Sequence, residues 1–372
     1  MTPTKGRASG FIFSDRRILN AVEKLRARVW QPDKTDRLDW PFGVDLERIA
    51  RTLRKAIRNK VVLPVKAREY MALSPAERDQ KLAGWRNSVM RLYEESVVFV
   101  DEEGVSLVWY LPDLLSNELK NKIHQKTGLI HRKLVVGFVD QARIEDVEAG
   151  NTRGRKRRKI SEHQFLDKKM KPTVFPGICW FSFTCQHKSD DKDQGLQIIS
   201  STGFEEPVEV IGQTEEWLAQ ISEHQLIVSL VLSFIHPGLY QGGRLSLEKC
   251  CQDKNQRTSE WAKRWNSVFT SITVVSGRTS VPHVETEGAL NYFNALVGIG
   301  TAGNPSLNLR ELNASFRYKP GCGVFFSGQG WTQELPDWGT GECLCYVSRV
   351  EPEMIEYGGE KVEEYGLKLP LH

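Results

Sequence analysis

Arg278-Thr-Ser-Val-Pro-His-Val-Glu285 is the stretch on which the reading of this chain turns. It follows an apolar run, Ser271 to Val275, and precedes another, Tyr292 to Ile299, so it reads as a turn between strands. Within it, His283 and Glu285 place an imidazole and a carboxylate two residues apart. That pairing is the first half of a two-histidine-one-carboxylate iron site. The second half requires a later histidine from a facing strand, and after His283 only His372, the last residue, remains. Either another residue completes the metal site, or the fold persists without its iron.

Outward from this stretch, residues 268–275, 292–299, 314–318, 322–327 and 343–348 form short β-type runs separated by glycine and proline. Their spacing predicts an antiparallel double-sheet jelly roll. Before them, Leu226 to Ile235 is too short to span a bilayer and reads as a buried helix; Thr214 to Phe234 forms one helix or two, ending at His236-Pro237-Gly238. His236 reads as a helix-boundary residue rather than a ligand. The first half is mostly helical. Ser14-Asp15 and Asp45 cap amphipathic segments, and Ser74-Pro-Ala-Glu77 carries the signals of a capping box and starts a helix running towards Glu95. Val97 to Val100 and Val105 to Tyr110 read as a strand hairpin, and Leu114 to Gln125 as a helix.

The charge is asymmetric. Residues 1–175 carry 36 Lys+Arg against 23 Asp+Glu, a balance of +13, while residues 176–372 carry 15 against 24, a balance of −9. A basic front half suits a polyanion, and equally suits solvated helix faces. Arg155, Lys156, Arg157, Arg158 and Lys159 form an unbroken basic run, readable as a plain loop, a nuclear-localisation signal or a phosphate-binding patch. The seven cysteines are scattered without a CxxC, which predicts neither a zinc ribbon nor a disulfide framework and points to a reducing, intracellular setting. No run is long enough for a membrane span, and the polar N-terminus lacks the apolar core of a secretory signal.

Three segments together resemble the fungal TET/JBP-like Fe(II)/2-oxoglutarate-dependent dioxygenases. They are Ile235-His-Pro-Gly-Leu-Tyr-Gln-Gly242; Arg278 to Glu285 with Gly288, Tyr292-Phe293, Leu296-Val297 and Gly300; and Phe316-Arg-Tyr-Lys-Pro-Gly321 with Val324-Phe-Phe-Ser-Gly328 and Cys345-Tyr346. The resemblance covers roughly 214–350, and it lies in the order and spacing of motifs. It implies an α+β fold with a double-stranded β-helix (jelly-roll) core, a helical N-terminal region and a helix packed on the sheet. The expected division is 1–150 helical and basic, 151–174 basic linker, 175–352 jelly roll and 353–372 C-terminal tail.

The resemblance also implies Fe(II) and 2-oxoglutarate as cofactors. The first iron ligand falls on His283 and the carboxylate on Glu285, one methylene longer than the family's aspartate. The second histidine falls on Gln333, with Glu334 next door as the other candidate for third ligand. The arginine that anchors 2-oxoglutarate falls on Cys343, leaving Arg278, Arg349 and Arg317 as substitutes. Arg349 would share Cys343's face of the strand but lie about 20 Å along it. An amide is a weaker iron donor than an imidazole, and a thiol cannot form a guanidinium fork. Three functions follow: a catalytically degenerate dioxygenase fold, a pseudoenzyme that binds DNA or RNA or a protein partner; an active enzyme oxidising a methylated base in DNA or RNA; or a structural or mobile-element-associated protein. In the first and third the chain uses no cofactor. Cys343 and Cys345, two apart on a strand, read as buried small hydrophobes or a minor metal or redox site. Trp331 and Trp338 read as base-stacking rings or as filling.

Overall fold

A computed structural model of the chain describes residues 11–32, 44–85, 89–134, 173–186, 195–200, 208–286 and 288–371. The basic run Arg155–Lys159 lies outside the described residues.

Helix α1, Arg16–Trp30, begins where the Asp15 carboxylate accepts the Arg17 N–H, and it buries Ile18, Val22, Leu25 and Val29 as one stripe. Helix α2, Leu46–Arg58, is capped in the same way by Asp45 and packs on α1. Strand β1 (Lys60–Val62) and helix α3 (Ala67–Met71) lead to α4, Pro75–Ala83, which opens on a complete Ser74–Glu77 capping box. The helix expected to continue towards Glu95 stops at Gly84, and strand β2, Arg91–Tyr93, takes over. The cause is tertiary: the Tyr93 ring packs against Phe99 and Phe316, which draws this segment into a sheet. Strands β3 (Val97–Val100) and β4 (Ser106–Leu111) form the expected hairpin, followed by α5, Asn117–Thr127.

Strands β5 (Gly177–Gln186) and β6 (Gly195–Ser200) precede four helices: α6 (Val208–Gln220), α7 (Ser222–Ile235), α8 (Pro237–Cys251) and α9 (Gln256–Arg264). Helix α7 is buried on nearly every side from His224 onward, as its predominantly apolar sequence requires. Among the described residues no single helix is long and apolar enough to cross a membrane. His236 joins α7 to α8: its Nδ1 accepts the Leu239 N–H and its Nε2–H donates to the Asn291 carbonyl. Both ring nitrogens are thereby used in capping and in docking the loop before the next strands.

The last eight strands are β7 (Ser271–Ser276), β8 (Ser280–His283), β9 (Asn294–Gly300), β10 (Ser306–Leu309), β11 (Ala314–Arg317), β12 (Gly323–Phe326), β13 (Gln333–Leu335) and β14 (Cys343–Arg349), and helix α10 (Pro352–Gly358) follows. One sheet has the order β1-β3-β4-β12-β9-β14-β7-β5-β6 and the other β2-β11-β10-β13-β8. Numbered from one to eight, β7–β14 run 6-3-8-1 in the first sheet and 5-4-7-2 in the second, the order of a double-stranded β-helix, in which successive strands change sheet except at the hairpin of the fourth and fifth. The α+β jelly-roll fold is therefore present, with most of its helices on the outer face of the larger sheet, while α3 and α4 pack into the core on the other side.

The larger sheet separates two cores. Val98, Trp109, Val274, Leu344 and Tyr346 face the helices; Val97, Phe99, Tyr110, Val324 and Phe326 face the smaller sheet. The expected division at 150 is crossed by both sheets, since β1, β3 and β4 extend one and β2 the other. The expected tail is also built in. The Leu367 N–H donates to the Ile235 carbonyl, the Ser106 N–H to the Leu367 carbonyl, and the Leu369 N–H to the Gly104 carbonyl. This strap ties α7 to the β3–β4 hairpin.

Candidate functional site

A cavity of about 520 Å³ opens between the two sheets. Its size falls in the ordinary range of small-molecule sites. Strand β14 supplies one wall: Cys343, Cys345, Val347 and Arg349 line it, while the alternate residues face the helices. The opposite wall comes from β8 and β13, where His283 and Gln333 are directly paired.

At one end, Glu285 is held from three sides. Arg349 Nη2 donates to its Oε1 at 2.8 Å, Gln333 Nε2 to the same oxygen at 3.0 Å, and Asn294 Nδ2 to Oε2 at 2.8 Å. The Glu285 N–H donates to the Gly328 carbonyl at 3.0 Å. A side chain on Gly328 would place its Cβ 2.7 Å from the Glu285 carboxyl carbon, so only glycine admits this approach. His283 Nδ1 lies 2.8 Å from the Val281 carbonyl. A carbonyl only accepts, so Nδ1 carries the proton, and Nε2 faces the Gln333 amide at 3.5 Å. Gln333 itself is almost fully buried, and its orientation is fixed because a carboxylate oxygen demands the amide N–H.

This set does not fit a divalent ion as it stands. Gln333 presents N–H rather than oxygen, one Glu285 oxygen is bonded to a guanidinium, and a cation placed there would meet Arg349 at close range. Glu334, the other candidate for third ligand, lies on the opposite face of β13: Asn308 Nδ2 donates to its Oε1 at 2.9 Å, and Arg310 pairs with its Oε2. Adjacent residues on a strand point apart, so in the observed register Glu334 faces away from the cavity. Among the described residues no cluster of three His, Cys, Asp or Glu side chains could hold a metal.

The other end of the cavity lies where β7 leaves the larger sheet. The Gly277 N–H donates to the Cys343 carbonyl, which puts the neighbouring Arg278 at the Cys343 end, and Arg278 lines the cavity. Cys343 and Arg349 stand at opposite ends of β14, so Arg349 serves the Glu285 end rather than replacing an arginine at position 343. Arg317 is engaged elsewhere, with Glu94 at 3.1 Å. Burial pushes the Cys343 and Cys345 thiols up to about 12, so both are protonated at neutral pH. The Cys345 sulfur lies 2.9 Å from the Tyr318 hydroxyl.

Both tryptophans beside the site are filling. Trp331 is fully buried against Tyr70, with ring centroids 5.3 Å apart, and Trp338 donates its indole N–H to the Gly341 carbonyl. Asn294 carries no sequence signal of its role, and only its place at the head of β9, beside Arg349, gives it one.

No protein-family model matches the chain, and neither does any curated protein sequence. Among solved structures, NgTET1 in complex with 5mC DNA matches over 91% of this chain and 90% of that chain, with 11% sequence identity and a TM-score of 0.45.

Proposed function

We propose that this chain is a binding protein on an oxygenase-type jelly roll, a pseudoenzyme in which an internal ion pair stands where catalysis would need a metal. The observation that carries the reading is the saturation of Glu285 by Arg349, Gln333 and Asn294. A carboxylate with one oxygen on a guanidinium and both on amides has little left to offer a metal, and the chain supplies its counter-charge permanently. The deciding experiment is titration of the full chain with Mn(II) or Co(II), with and without 2-oxoglutarate. The reading expects no stoichiometric binding; one tightly bound ion per chain that disappears in His283→Ala would sink it.

Nucleic acid is the partner this reading favours. The support is the charge distribution: a balance of +13 over residues 1–175 against −9 over the remainder. Described arginines and lysines of α1 and α2, among them Arg16, Lys24, Arg51 and Arg58, are solvent-facing and available to phosphates. Binding of this kind weakens steeply with salt. Absence of any DNA or RNA binding at low ionic strength would remove the nucleic-acid part while leaving the metal-free part standing.

A further inference from the structure

We infer that the flank of the jelly roll opposite His283 holds one unpaired base of a single-stranded nucleic acid, with the adjoining backbone running onto the cations of α2. The inference rests on the nucleic-acid reading above and names the form of the ligand and the residues that hold it. Strands β1 and β2 are the outer strands of the larger and the smaller sheet. Between them lies a second cavity, of about 180 Å³, lined by Val61 of β1, Arg91 and Tyr93 of β2, Trp85 and Leu312. In the smaller sheet β2 and β8 are opposite edges, four strand spacings or about 19 Å apart, so this cavity is separate from the one beside Glu285. Its volume suits a single flat ring system and lies below that of ordinary small-molecule pockets.

The lining offers the three surfaces on which unpaired bases stack: an indole, a phenol ring and a guanidinium plane. The Arg91 guanidinium rests over the Tyr93 ring, 4.9 Å from its centroid, and Arg91 remains exposed. Trp85 and Tyr93 are half-buried, and Tyr93 is backed by Phe99 and Phe316. Glu94 and Glu95, the carboxylates that follow, are paired with Arg317 and Lys55. The backbone of a bound strand has a path away from the pocket. Arg58 precedes Val61 by three residues, at most about 10 Å of chain. Arg51 stands seven residues further back on the same helix face, about 10.5 Å along α2. Both arginines are exposed. The Lys55–Glu95 pair, and the Asn59 side-chain N–H donated to the Ser96 carbonyl, fasten the end of α2 to the segment that follows Tyr93. A cationic ligand would meet Arg91. A peptide added to β2 would have to pass the charges of Arg91, Glu94 and Glu95, the pattern that keeps edge strands from pairing. A duplex keeps its bases stacked and offers this cavity nothing to enclose.

The test is fluorescence anisotropy of the full chain at low salt with three labelled probes of equal length: an oligothymidylate strand, its abasic counterpart and a duplex. The thymine strand is expected to bind at least about ten-fold more tightly than the abasic strand or the duplex, as stacking of a base on an aromatic ring implies. Trp85→Ala should weaken the thymine strand about ten-fold and leave the abasic strand unchanged, and Trp85→Phe should restore most of the loss. Arg58→Gln should weaken both strands alike and lower the salt slope by roughly 0.7. An iodouracil strand irradiated on the unaltered chain should crosslink to Trp85 or Tyr93, a readout that needs no variant to fold. Equal affinity for the duplex or the abasic strand, indifference of the thymine strand to Trp85→Ala, or crosslinks confined to other residues overturns the inference. The two levels separate. If no probe binds at low salt, the nucleic-acid reading fails and this inference with it; if the probes bind without these preferences, only the base pocket falls.

Discussion

Arg349 Nη2 stands 2.8 Å from Glu285 Oε1, so the charge balancing the cavity carboxylate comes from the last residue of β14. The pair is well shielded, with side-chain exposures of 20% for Arg349 and 9% for Glu285. Removing one member of such a pair strands the other.

Arg349→Gln should therefore destabilise the chain by about 2–3 kcal/mol, somewhat below the range for fully buried pairs because Arg349 keeps some solvent contact. Arg349→Gln with Glu285→Gln should recover most of that loss, since no charge is then left unbalanced. Urea unfolding of the two variants measures both values; equal destabilisation in the single and double variants would show that the pair is not coupled.

Gln333→His combined with Arg349→Leu should create a metal site. The imidazole would arise on β13 directly across from His283, and the carboxylate would be released from its guanidinium. With two imidazoles and one carboxylate the donor set becomes that of a non-haem iron centre. Co(II) absorption in the visible should appear in the double variant and be absent in the parent chain. A silent double variant would mean that Glu285 cannot reach the ion.

His224 gives a pH dependence. It is fully buried on α7, edge-on to Tyr346 with centroids 5.3 Å apart, and burial holds its imidazole down at about 4 against an ordinary 6.5. The unfolded chain takes up a proton there below about 6.5 and the folded chain only below about 4. Stability contributed by the neutral ring is complete above 6.5 and is lost as pH falls through that window, by up to roughly 3 kcal/mol. Neither ring nitrogen has a hydrogen-bond partner in the structure, so His224→Leu should retain the fold and flatten this part of the pH–stability curve. Burial also lowers His236, which contributes in the same direction. Identical slopes in parent and variant between pH 4 and 6.5 would exclude His224 as the source.

Ending the chain after Gly359 should destabilise it by roughly 3 kcal/mol or more. The Ser106 N–H, the Gly104 carbonyl and the Ile235 carbonyl all lose backbone partners, and Ser106 is fully buried. Thermal unfolding of the shortened chain measures the loss; an unchanged midpoint would show that the strap is a passive appendage.

The sequence makes the long strands and capped helices legible because their signals are local. Apolar runs mark β9, β12 and β14, and Asp15, Asp45 and Ser74 mark helix starts through bonds made within three residues. Strands β10 and β13 escape notice because they are short and carry Asn308, Gln333 and Glu334, whose places are fixed only by pairing. The same division holds at the site. His283, Glu285 and Gln333 follow from motif spacing, and strand periodicity puts Arg349 on the inward face. That Arg349 meets Glu285, and that Arg278 rather than Arg349 shares the Cys343 end, depends on the register of β14 with β7 and β9. Register is a long-range property with no local code.

Strand β4 lies against β12 along Gly323–Phe326, and this contact governs how the protein can be dissected. A polypeptide starting at residue 175 would keep all eight jelly-roll strands but leave that flank of β12 bare. Val324, Phe325 and Phe326 would then sit on an unpaired, uncharged border ready to recruit a second molecule. Such a fragment would accumulate as self-associated, insoluble material, and soluble expression requires the N-terminal residues to be present on the same chain.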